Sequence, residues 1–350
     1  MDNSGEKYET WWRDHREWLE SFGYKLRRNL ISHPRPDQKY RSQFNPNMFM
    51  DAIRIVDGKR VMLKKVGPNE LEISVFFKHS HATITKDARN HCTPIFDVLE
   101  VPYEEATAIV VMPFLRPFYT PRFETRGELL EFFRQIFEGM HFMHLYNTAH
   151  RNCSIENILM EGDGMYPHGF HPVWPNAALG CNGPAKKRST RTRRPPRYYI
   201  TGFETSCYFP PSVTNPLVYP SVDGDDPSTA SQQQATTTPY DPFPADVYYL
   251  GNTIRSFLSG HGTQDRPVDG FQFLMPLLRD MTCQDAGQRP TMEEVVARYD
   301  RMLDTQSHWS LRSRVVYEGD EPPTIQKRIR YWGRQITSIL QGLSALPTPR

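Results

Sequence analysis

The amino-acid sequence predicts a bilobal α+β protein, with a small β-rich N-lobe at residues 46–118 and a larger helical C-lobe at residues 119–308. Two observations lead to this prediction. Alternating apolar residues, which are typical of half-buried strands, are concentrated before residue 118. Apolar residues at helical spacing prevail after residue 125. An N-terminal extension at residues 1–45 and a C-terminal tail at residues 309–350 complete the expected organisation.

The expected elements of the N-lobe and its extension follow from short local patterns. Tryptophans and apolar residues recur at helical spacing near residues 8–22 and predict a short amphipathic helix. Within residues 46–66, two alternating runs flank Asp57-Gly58, a dipeptide that favours tight hairpin turns. Three further elements are predicted, namely a helix at 69–80 and strands at 94–102 and 107–115.

The C-lobe begins with a long amphipathic helix that the pattern predicts from residue 125 onward. Its apolar face consists of Leu129, Leu130, Phe133, Ile136, Phe137, Met140 and Met143. A short strand is predicted at 197–203, and helical segments at 244–260 and 271–303. Residues 162–197 are poor in apolar side chains and rich in Gly, Pro, Lys and Arg, and they form a basic insert in the predicted C-lobe. Residues 210–244 are of low complexity, and we expect this activation-segment region to be mobile.

The tail contains a second strong helical pattern, in which apolar residues recur at a spacing of 4-3-4-3-4. This stripe comprises Ile325, Ile329, Trp332, Ile336, Ile339 or Leu340, and Leu343. Four basic residues lie off the stripe, namely Lys327, Arg328, Arg330 and Arg334. A basic amphipathic helix of this kind suits either docking on the C-lobe, which we favour, or an anionic membrane surface.

The composition excludes several broad classes of protein. The chain has 42 Lys and Arg against 40 Asp and Glu, so its net charge of +2 does not indicate a general polyanion binder. The sequence contains no run of 18 apolar residues, so it predicts no transmembrane helix. The 5 cysteines are scattered without a C-x-x-C pair, which favours a reducing compartment. We therefore expect an intracellular protein of the cytoplasm or nucleus.

Four short motifs follow one another along the two predicted lobes. They are V-M-L-K ending at Lys64, HR-x₅-N from His150 to Asn157, D-x₄-G beginning at Asp246, and R-P at Arg289. In this order, over residues 50–303, they resemble the motifs of eukaryotic protein kinases. The stretches GMYPHGFHP, TRTRRPPRYY and PYDPFPADVYYLGN are similar to a large kinase-like group of mushroom-forming fungi.

The resemblance implies ATP and Mg²⁺ as cofactors and assigns residues to them. Lys64 would hold the phosphates of ATP and pair with a glutamate on the following helix, for which Glu70 is the candidate and Glu72 the rival. Asn157 would be the amide that faces the metal. The alternatives are a surface lysine at position 64 and, for Asn157, an amide that only satisfies loop backbone groups.

Three departures from the family pattern affect the chemistry. Asn152 stands in the position of the catalytic Asp, and its amide cannot act as a general base, a role worth ~10²–10⁴ in rate. Gly202 stands in the position of the metal-binding Asp, and Glu204 in that of the following glycine. No G-x-G-x-x-G precedes Lys64, so backbone amides cannot approach phosphate oxygens as usual. The sequence therefore predicts weak or absent binding of ATP and Mg²⁺.

Other matched residues are expected to support the fold. His150 and Arg151 open the loop, and Asp246 should accept hydrogen bonds from the backbone of that loop. In the family, the equivalent of Arg289 pairs with a glutamate of an A-P-E motif. No glutamate lies between positions 204 and 293, so this ion pair cannot form in the usual way.

The function predicted from these residues is that of a pseudokinase. It would be a catalytically impaired, kinase-like module that binds or scaffolds a protein partner whose identity the sequence does not give. The alternative is a residual ATP-dependent Ser/Thr kinase acting on a protein substrate.

Two other readings are less favoured. Histidines and a cysteine with ligand-like spacing lack further ligands that would complete a zinc site; they are His79, His81, His91, Cys92, His141 and His144. The basic run 186–197 has the composition of a nuclear-localisation or nucleic-acid patch. A solvated insert explains it more simply, so nucleic acid is not an expected partner.

Overall fold

The computed structural model describes residues 10–27, 48–67, 87–104, 107–219, 239–261 and 266–349. Over these ranges, strands dominate up to residue 113 and helices dominate after residue 125. We call the described residues up to 113 the sheet region and those from 115 onward the helical region. The structure is therefore of mixed α and β character with antiparallel pairing, as the predicted α+β class requires.

The sheet region contains a five-stranded antiparallel sheet within the described residues, in the order β1-β2-β3-β5-β4. Its strands are β1 (Tyr24–Leu26), β2 (Phe49–Arg54), β3 (Arg60–Val66), β4 (Asp97–Glu100) and β5 (Ala108–Pro113). Residues 10–14 are helical and lead into helix α1 (Arg16–Ser21). Trp12 and Leu19 from these helical turns are fully buried against the sheet.

The predicted hairpin is formed by β2 and β3. Asp57-Gly58 lies in the turn, where Gly58 has a φ of +67°, a conformation that glycine adopts without strain. The Asp57 carboxylate accepts hydrogen bonds from the guanidinium of Arg54 and the backbone of Lys59. The two strands predicted at 94–102 and 107–115 are β4 and β5, whereas the helix predicted at 69–80 lies outside the described residues.

The helical region consists mainly of helices connected by short strand pairs. Its helices are α2 (Arg126–Leu145), α3 (Pro242–Leu258), α4 (Met275–Met281), α5 (Met292–Asp304), α6 (His308–Arg312) and α7 (Ile325–Leu340). Its strands are β6 (Leu115–Pro117), β7 (Thr148–Ala149), β8 (Ile158–Glu161), β9 (Tyr198–Ile200), β10 (Cys207–Tyr208), β11 (Val268–Asp269) and β12 (Val316–Tyr317). All these strands pair antiparallel, as β6-β8-β9, β7-β10 and β11-β12.

Helix α2 supplies the largest block of the core. It begins with a capping box in which Thr125 and Glu128 satisfy each other's backbone N–H groups. Its predicted apolar face is buried throughout, at Leu129, Leu130, Phe133, Ile136, Phe137, Met140 and Met143. Each of these side chains contributes about 1.5–3 kcal/mol through burial. The Tyr299 hydroxyl of α5 donates a hydrogen bond to the Leu130 carbonyl at 2.7 Å, which fixes α5 against α2.

Two of the other helical predictions agree with the structure in part. The segment predicted at 244–260 is α3, whose N-cap is Asp241. The segment predicted at 271–303 is divided into α4 and α5, because the chain leaves the helix at Thr282 and re-enters after Pro290. Thr291 caps the second of these helices with a capping box.

The interpretation of the basic run 186–197 as a solvated insert is wrong for Arg191, near the middle of the run. Arg191 is 2% exposed, and its guanidinium donates hydrogen bonds to the backbone carbonyls of Phe118, Pro121 and Arg122. It also lies over the Phe123 ring at 4.2 Å. A planar group with five donors satisfies several carbonyls at once, which explains why an arginine is tolerated in this core position.

The tail helix α7 contacts the helical region mainly through side chains outside its apolar stripe, although Trp332 of the stripe packs against Trp309 of α6. The buried residues of α7 are the polar Gln335 and Ser338, and the Tyr331 hydroxyl donates to the Arg312 carbonyl at 2.7 Å. Five residues of the stripe are exposed, namely Ile325, Ile329, Ile336, Ile339 and Leu340. Among the described residues, no helix is long and apolar enough to cross a membrane.

Replacing Arg191 tests the buried guanidinium. In Arg191→Lys, an ammonium cannot reproduce the three-carbonyl geometry, so the free energy of unfolding should fall by about 3 kcal/mol. The matched control is Arg193→Lys, at an exposed position two residues away, which should change stability by less than about 0.5 kcal/mol. Urea unfolding measures both. Equal stability of the two variants would contradict the structural role of Arg191.

Candidate functional site

The site is built around the carboxylate of Asp246, which lies in α3 and is fully buried. Its two oxygens accept hydrogen bonds from the backbone N–H groups of His150 and Arg151, at 2.7 and 2.6 Å. The His144 ring lies 3.1 Å from the same carboxylate. The sequence predicted hydrogen bonds from this loop to Asp246, and the structure has them. The loop that follows β7 is thus held against α3 by hydrogen bonds to the Asp246 carboxyl group.

Arg151 adopts a left-handed backbone conformation, with a φ of +67°. Non-glycine residues rarely adopt this conformation, and it persists only where surrounding contacts impose it. The guanidinium of Arg151 provides such contacts, because it donates to the carbonyls of Thr205 and Tyr219 at 3.1 and 2.8 Å. Arg151 thereby connects the loop to the chain that follows β9.

His150 makes a second connection between these segments. It is fully buried, its Nε2 lies 2.9 Å from the Thr201 carbonyl, and its Nδ1 accepts from the Asn152 N–H at 3.2 Å. These partners assign the proton of the neutral ring to Nε2. Burial lowers the pKa of His150 from its ordinary value. The ring also packs edge-on against the buried Phe203, at 5.2 Å between centroids.

Asn152, in the position of the family's catalytic Asp, is partly exposed. Among the described residues, its side-chain amide makes no hydrogen bond. Its backbone carbonyl accepts from the side-chain amide of Asn157 at 2.8 Å. The Asn157 amide N–H group therefore hydrogen-bonds to the backbone of its own loop. This contact corresponds to the structural alternative that the sequence left open for Asn157.

Gly202 lies directly beside Asn157. Its φ is +79°, and a Cβ placed there would come within 2.3 Å of the Asn157 Oδ1 atom. A carboxylate at position 202 would thus need a strained backbone and a displaced Asn157. The space that a side chain at position 202 would need is therefore already occupied by the amide of Asn157.

The cationic group of the site, Lys64, is buried in β3 at 4% exposure and forms an ion pair with Glu204. Burial acts to raise the pKa of Glu204, but the Lys64 charge and hydrogen bond prevail and hold that pKa below its ordinary value. The predicted partner Glu70 and its rival Glu72 lie outside the described residues. Sequence analysis did not predict Glu204 as the partner of Lys64. Glu204 aligns with a glycine of the kinase motif, and that alignment suggests no ion pair.

Arg289 makes contacts other than the family's ion pair. Its guanidinium donates to the carbonyls of Cys283 and Pro244 at 2.8 and 3.0 Å and lies over the Tyr248 ring at 4.8 Å. Backbone carbonyls thus replace the glutamate that the sequence lacks. The contact with Pro244, at the start of α3, connects the N-terminal side of α5 to the helix that carries Asp246.

The residues at the metal positions do not fit a Mg²⁺ site of the family type. Mg²⁺ requires octahedral oxygen ligands and is usually held by one or two carboxylates. Asn157 and Gly202 supply no carboxylate, and the Glu204 carboxylate is engaged by Lys64. Among the described residues, no group of three or more His, Cys, Asp or Glu side chains could hold a metal ion.

Two histidines of the less favoured zinc reading, and the buried Cys153 of the motif loop, have structural environments. His144 contacts Asp246, and His91 Nδ1 lies 2.8 Å from the Tyr198 carbonyl. Burial raises the pKa of the Cys153 thiol, which keeps it protonated and unreactive. His79 and His81 lie outside the described residues.

Neither a scan against protein-family models nor a search of curated proteins finds a match to this chain. The motifs and geometry of the chain itself are therefore the basis for inferring its function.

A double-mutant cycle can measure the steric overlap expected between a Cβ atom at position 202 and the Asn157 amide. Gly202→Ala should lower the free energy of unfolding by about 2–3 kcal/mol, through positive φ and through contact with the Asn157 amide. In an Asn157→Ala background, the same change should cost about 1 kcal/mol less, because the overlapping amide is gone. Urea unfolding of the four proteins gives the coupling. Strictly additive effects would contradict the described packing.

The buried His150 predicts a pH dependence of stability. Its pKa is lower in the folded than in the unfolded protein, so below the ordinary value of 6.5 the unfolded state binds more protons. The free energy of unfolding should therefore fall by about 1 kcal/mol per pH unit as the pH drops below that value.

The measurement is urea unfolding at several pH values for the parent and for His150→Gln. The variant should lose less stability on acidification than the parent does. His308→Gln, at an exposed position in α6, is the control and should follow the parent. If His150→Gln also follows the parent, His150 is not the group that couples protonation to folding.

Proposed function

We propose that this chain has a bilobal protein-kinase-like fold and is a pseudokinase, a catalytically impaired module that binds or scaffolds a protein partner. Residues 46–118 would be the N-lobe and residues 119–308 the C-lobe. Three features support the fold assignment. Lys64 lies on the middle strand of an antiparallel sheet, the motif loop follows the long helix α2, and Asp246 receives the backbone of that loop.

The pairing of Lys64 with Glu204 is the observation that carries the functional part of the proposal. In an active kinase, the equivalent lysine holds phosphates of ATP. Here its ammonium is neutralised by a carboxylate from the same chain. A phosphate group must displace Glu204 to reach Lys64, and it would also meet the charge of Glu204. The pair therefore opposes nucleotide binding at the position where the family promotes it.

The other positions that carry catalytic or metal-binding carboxylates in kinases also lack those carboxylates in this chain. Asn152 supplies no general base, and Asn157 and Gly202 supply no carboxylate for a metal ion. The groups that shape the loop are kept, because Asp246 and Arg151 retain dense hydrogen bonding. The absence of catalytic groups, together with the hydrogen bonds that hold the loop in place, favours a binding role over phosphoryl transfer.

A nucleotide titration tests the proposal. The parent protein should show no Mg²⁺-dependent rise in thermal stability at micromolar ATP and no phosphotransfer to itself or to a protein substrate. Glu204 has a 49% exposed side chain, so Glu204→Gln should still fold. This variant should bind ATP at least about tenfold more tightly than the parent, because Lys64 is released from its charged partner.

Two further variants complete the experiment. Adding Lys64→Met to Glu204→Gln should abolish the gain, which would show that Lys64 holds the phosphates. Glu156→Gln, at an exposed position in the same loop as Asn157, is the matched control and should bind ATP as the parent does. Mg²⁺-dependent binding of micromolar ATP by the parent, with phosphotransfer, would overturn the proposal in favour of a residual Ser/Thr kinase.

A further inference from the structure

We propose that helix α7 is a membrane-surface helix, whose exposed apolar stripe and flanking cationic side chains bind an anionic lipid bilayer. The exposed part of the stripe consists of four isoleucines and Leu340, and these five residues carry the first part of the argument. Ile325, Ile329, Ile336, Ile339 and Leu340 are 76%, 68%, 51%, 42% and 82% exposed. Single exposed apolar residues are ordinary, but a contiguous stripe indicates an interaction surface.

The way in which α7 is attached explains why the stripe faces outward. The helix is held by its other side, through buried Gln335 and Ser338 and through an ion pair of Arg334 with Glu124 at 3.6 Å. Its C-terminal extension is anchored as well, because Gly127 leaves no room for a Cβ beside the Ala345 carbonyl. The outward orientation of the stripe is therefore fixed by contacts on the opposite side of the helix.

Aromatic side chains extend the apolar surface beyond the helix itself. Trp332 of α7 lies 5.8 Å from Trp309 of α6, measured between ring centroids, and Trp309 is 61% exposed. Tryptophan is favoured at the boundary between lipid headgroups and acyl chains. Helix α7, with Trp309 beside it, thus has the apolar composition of helices that lie in a membrane interface.

The positive charge of α7 indicates that the surface it binds is anionic. The helix contains four Lys and Arg residues and no acidic residue. Among the described residues, Lys327, Arg328 and Arg330 have no ion-pair partner. They line a groove of about 510 Å³ in which Arg122, Arg314 and Arg334 add further positive charge, partly offset by Glu124 and Asp320. Cationic side chains beside an apolar stripe match the headgroups and acyl chains of an anionic bilayer.

A second copy of the chain fits this surface less well. A two-fold dimer through α7 would place the same patch of each copy against the other, and thus Lys and Arg against Lys and Arg. Nucleic acid also fits poorly, because the stripe is largely aliphatic and offers few rings on which bases could stack. An anionic bilayer satisfies both the apolar and the cationic parts of the surface.

Vesicle binding of the full chain tests the proposal. The protein should sediment with vesicles of phosphatidylcholine and phosphatidylserine and much less with phosphatidylcholine alone, and binding should weaken as salt is raised. Lys327→Gln with Arg330→Gln should weaken binding by about 25-fold, at about fivefold per charge. Ile329→Ser with Ile336→Ser should weaken it by about 100-fold.

Each double variant has a matched control at an exposed site elsewhere. Lys186→Gln with Arg194→Gln removes the same charge from the basic run, and Ile55→Ser with Val56→Ser removes similar apolar groups from the β2–β3 turn. Both controls should bind vesicles as the parent does. Urea unfolding verifies that all variants are folded.

Three outcomes would overturn the proposal. The first is the absence of sedimentation with anionic vesicles, and the second is equal binding to both kinds of vesicle. The third is self-association of the parent without vesicle binding, lost in Ile329→Ser with Ile336→Ser, which would assign the stripe to a second copy. The test does not involve nucleotide, so its result is separate from that of the ATP titration.

Discussion

The arrangement of the site depends on the buried carboxylate of Asp246. A buried carboxyl group must be satisfied by hydrogen-bond donors, and here those donors include the backbone N–H groups of His150 and Arg151. These two bonds hold Arg151 in a left-handed conformation, which directs its guanidinium to the carbonyl of Thr205. Because α3 carries the carboxylate and the loop carries the donors, the packing of one helix sets the shape of a loop far away in sequence.

Around this loop, the polar side chains of the site interact with one another. Lys64 pairs with Glu204, and Asn157 uses its amide to hold the Asn152 carbonyl. The backbone of Gly202 fills the remaining space beside Asn157. A phosphate-binding site needs donors that are preorganised but unsatisfied until the ligand arrives. In the described structure, Lys64 and the Asn157 amide already have partners within the chain, and the proposed function rests on this observation.

Basic residues have three different roles in this chain, and their environment decides which. Arg191 is buried and satisfies carbonyls, Arg289 replaces a missing ion pair with carbonyl contacts, and Arg330 lies exposed beside an apolar stripe. The guanidinium group permits the first two roles because its planar donors reach several acceptors at once. The role proposed for Arg330 depends on long-range electrostatic attraction to an anionic surface, which requires that its side chain be exposed.

The sequence by itself determined the α+β class, the β2–β3 hairpin and the apolar face of α2, because periodicity and turn chemistry are local. The bonds to Asp246 join residues far apart in the chain, and they were expected only from the resemblance of the motifs to those of protein kinases. Tertiary structure decided which arginine of the basic run is buried, and which carboxylate of the described chain reaches Lys64. It also decided that α7 docks by its polar side, leaving Ile329 exposed. Hydrophobic periodicity identifies a face of a helix, but only the packed neighbours determine whether that face is turned inward or outward.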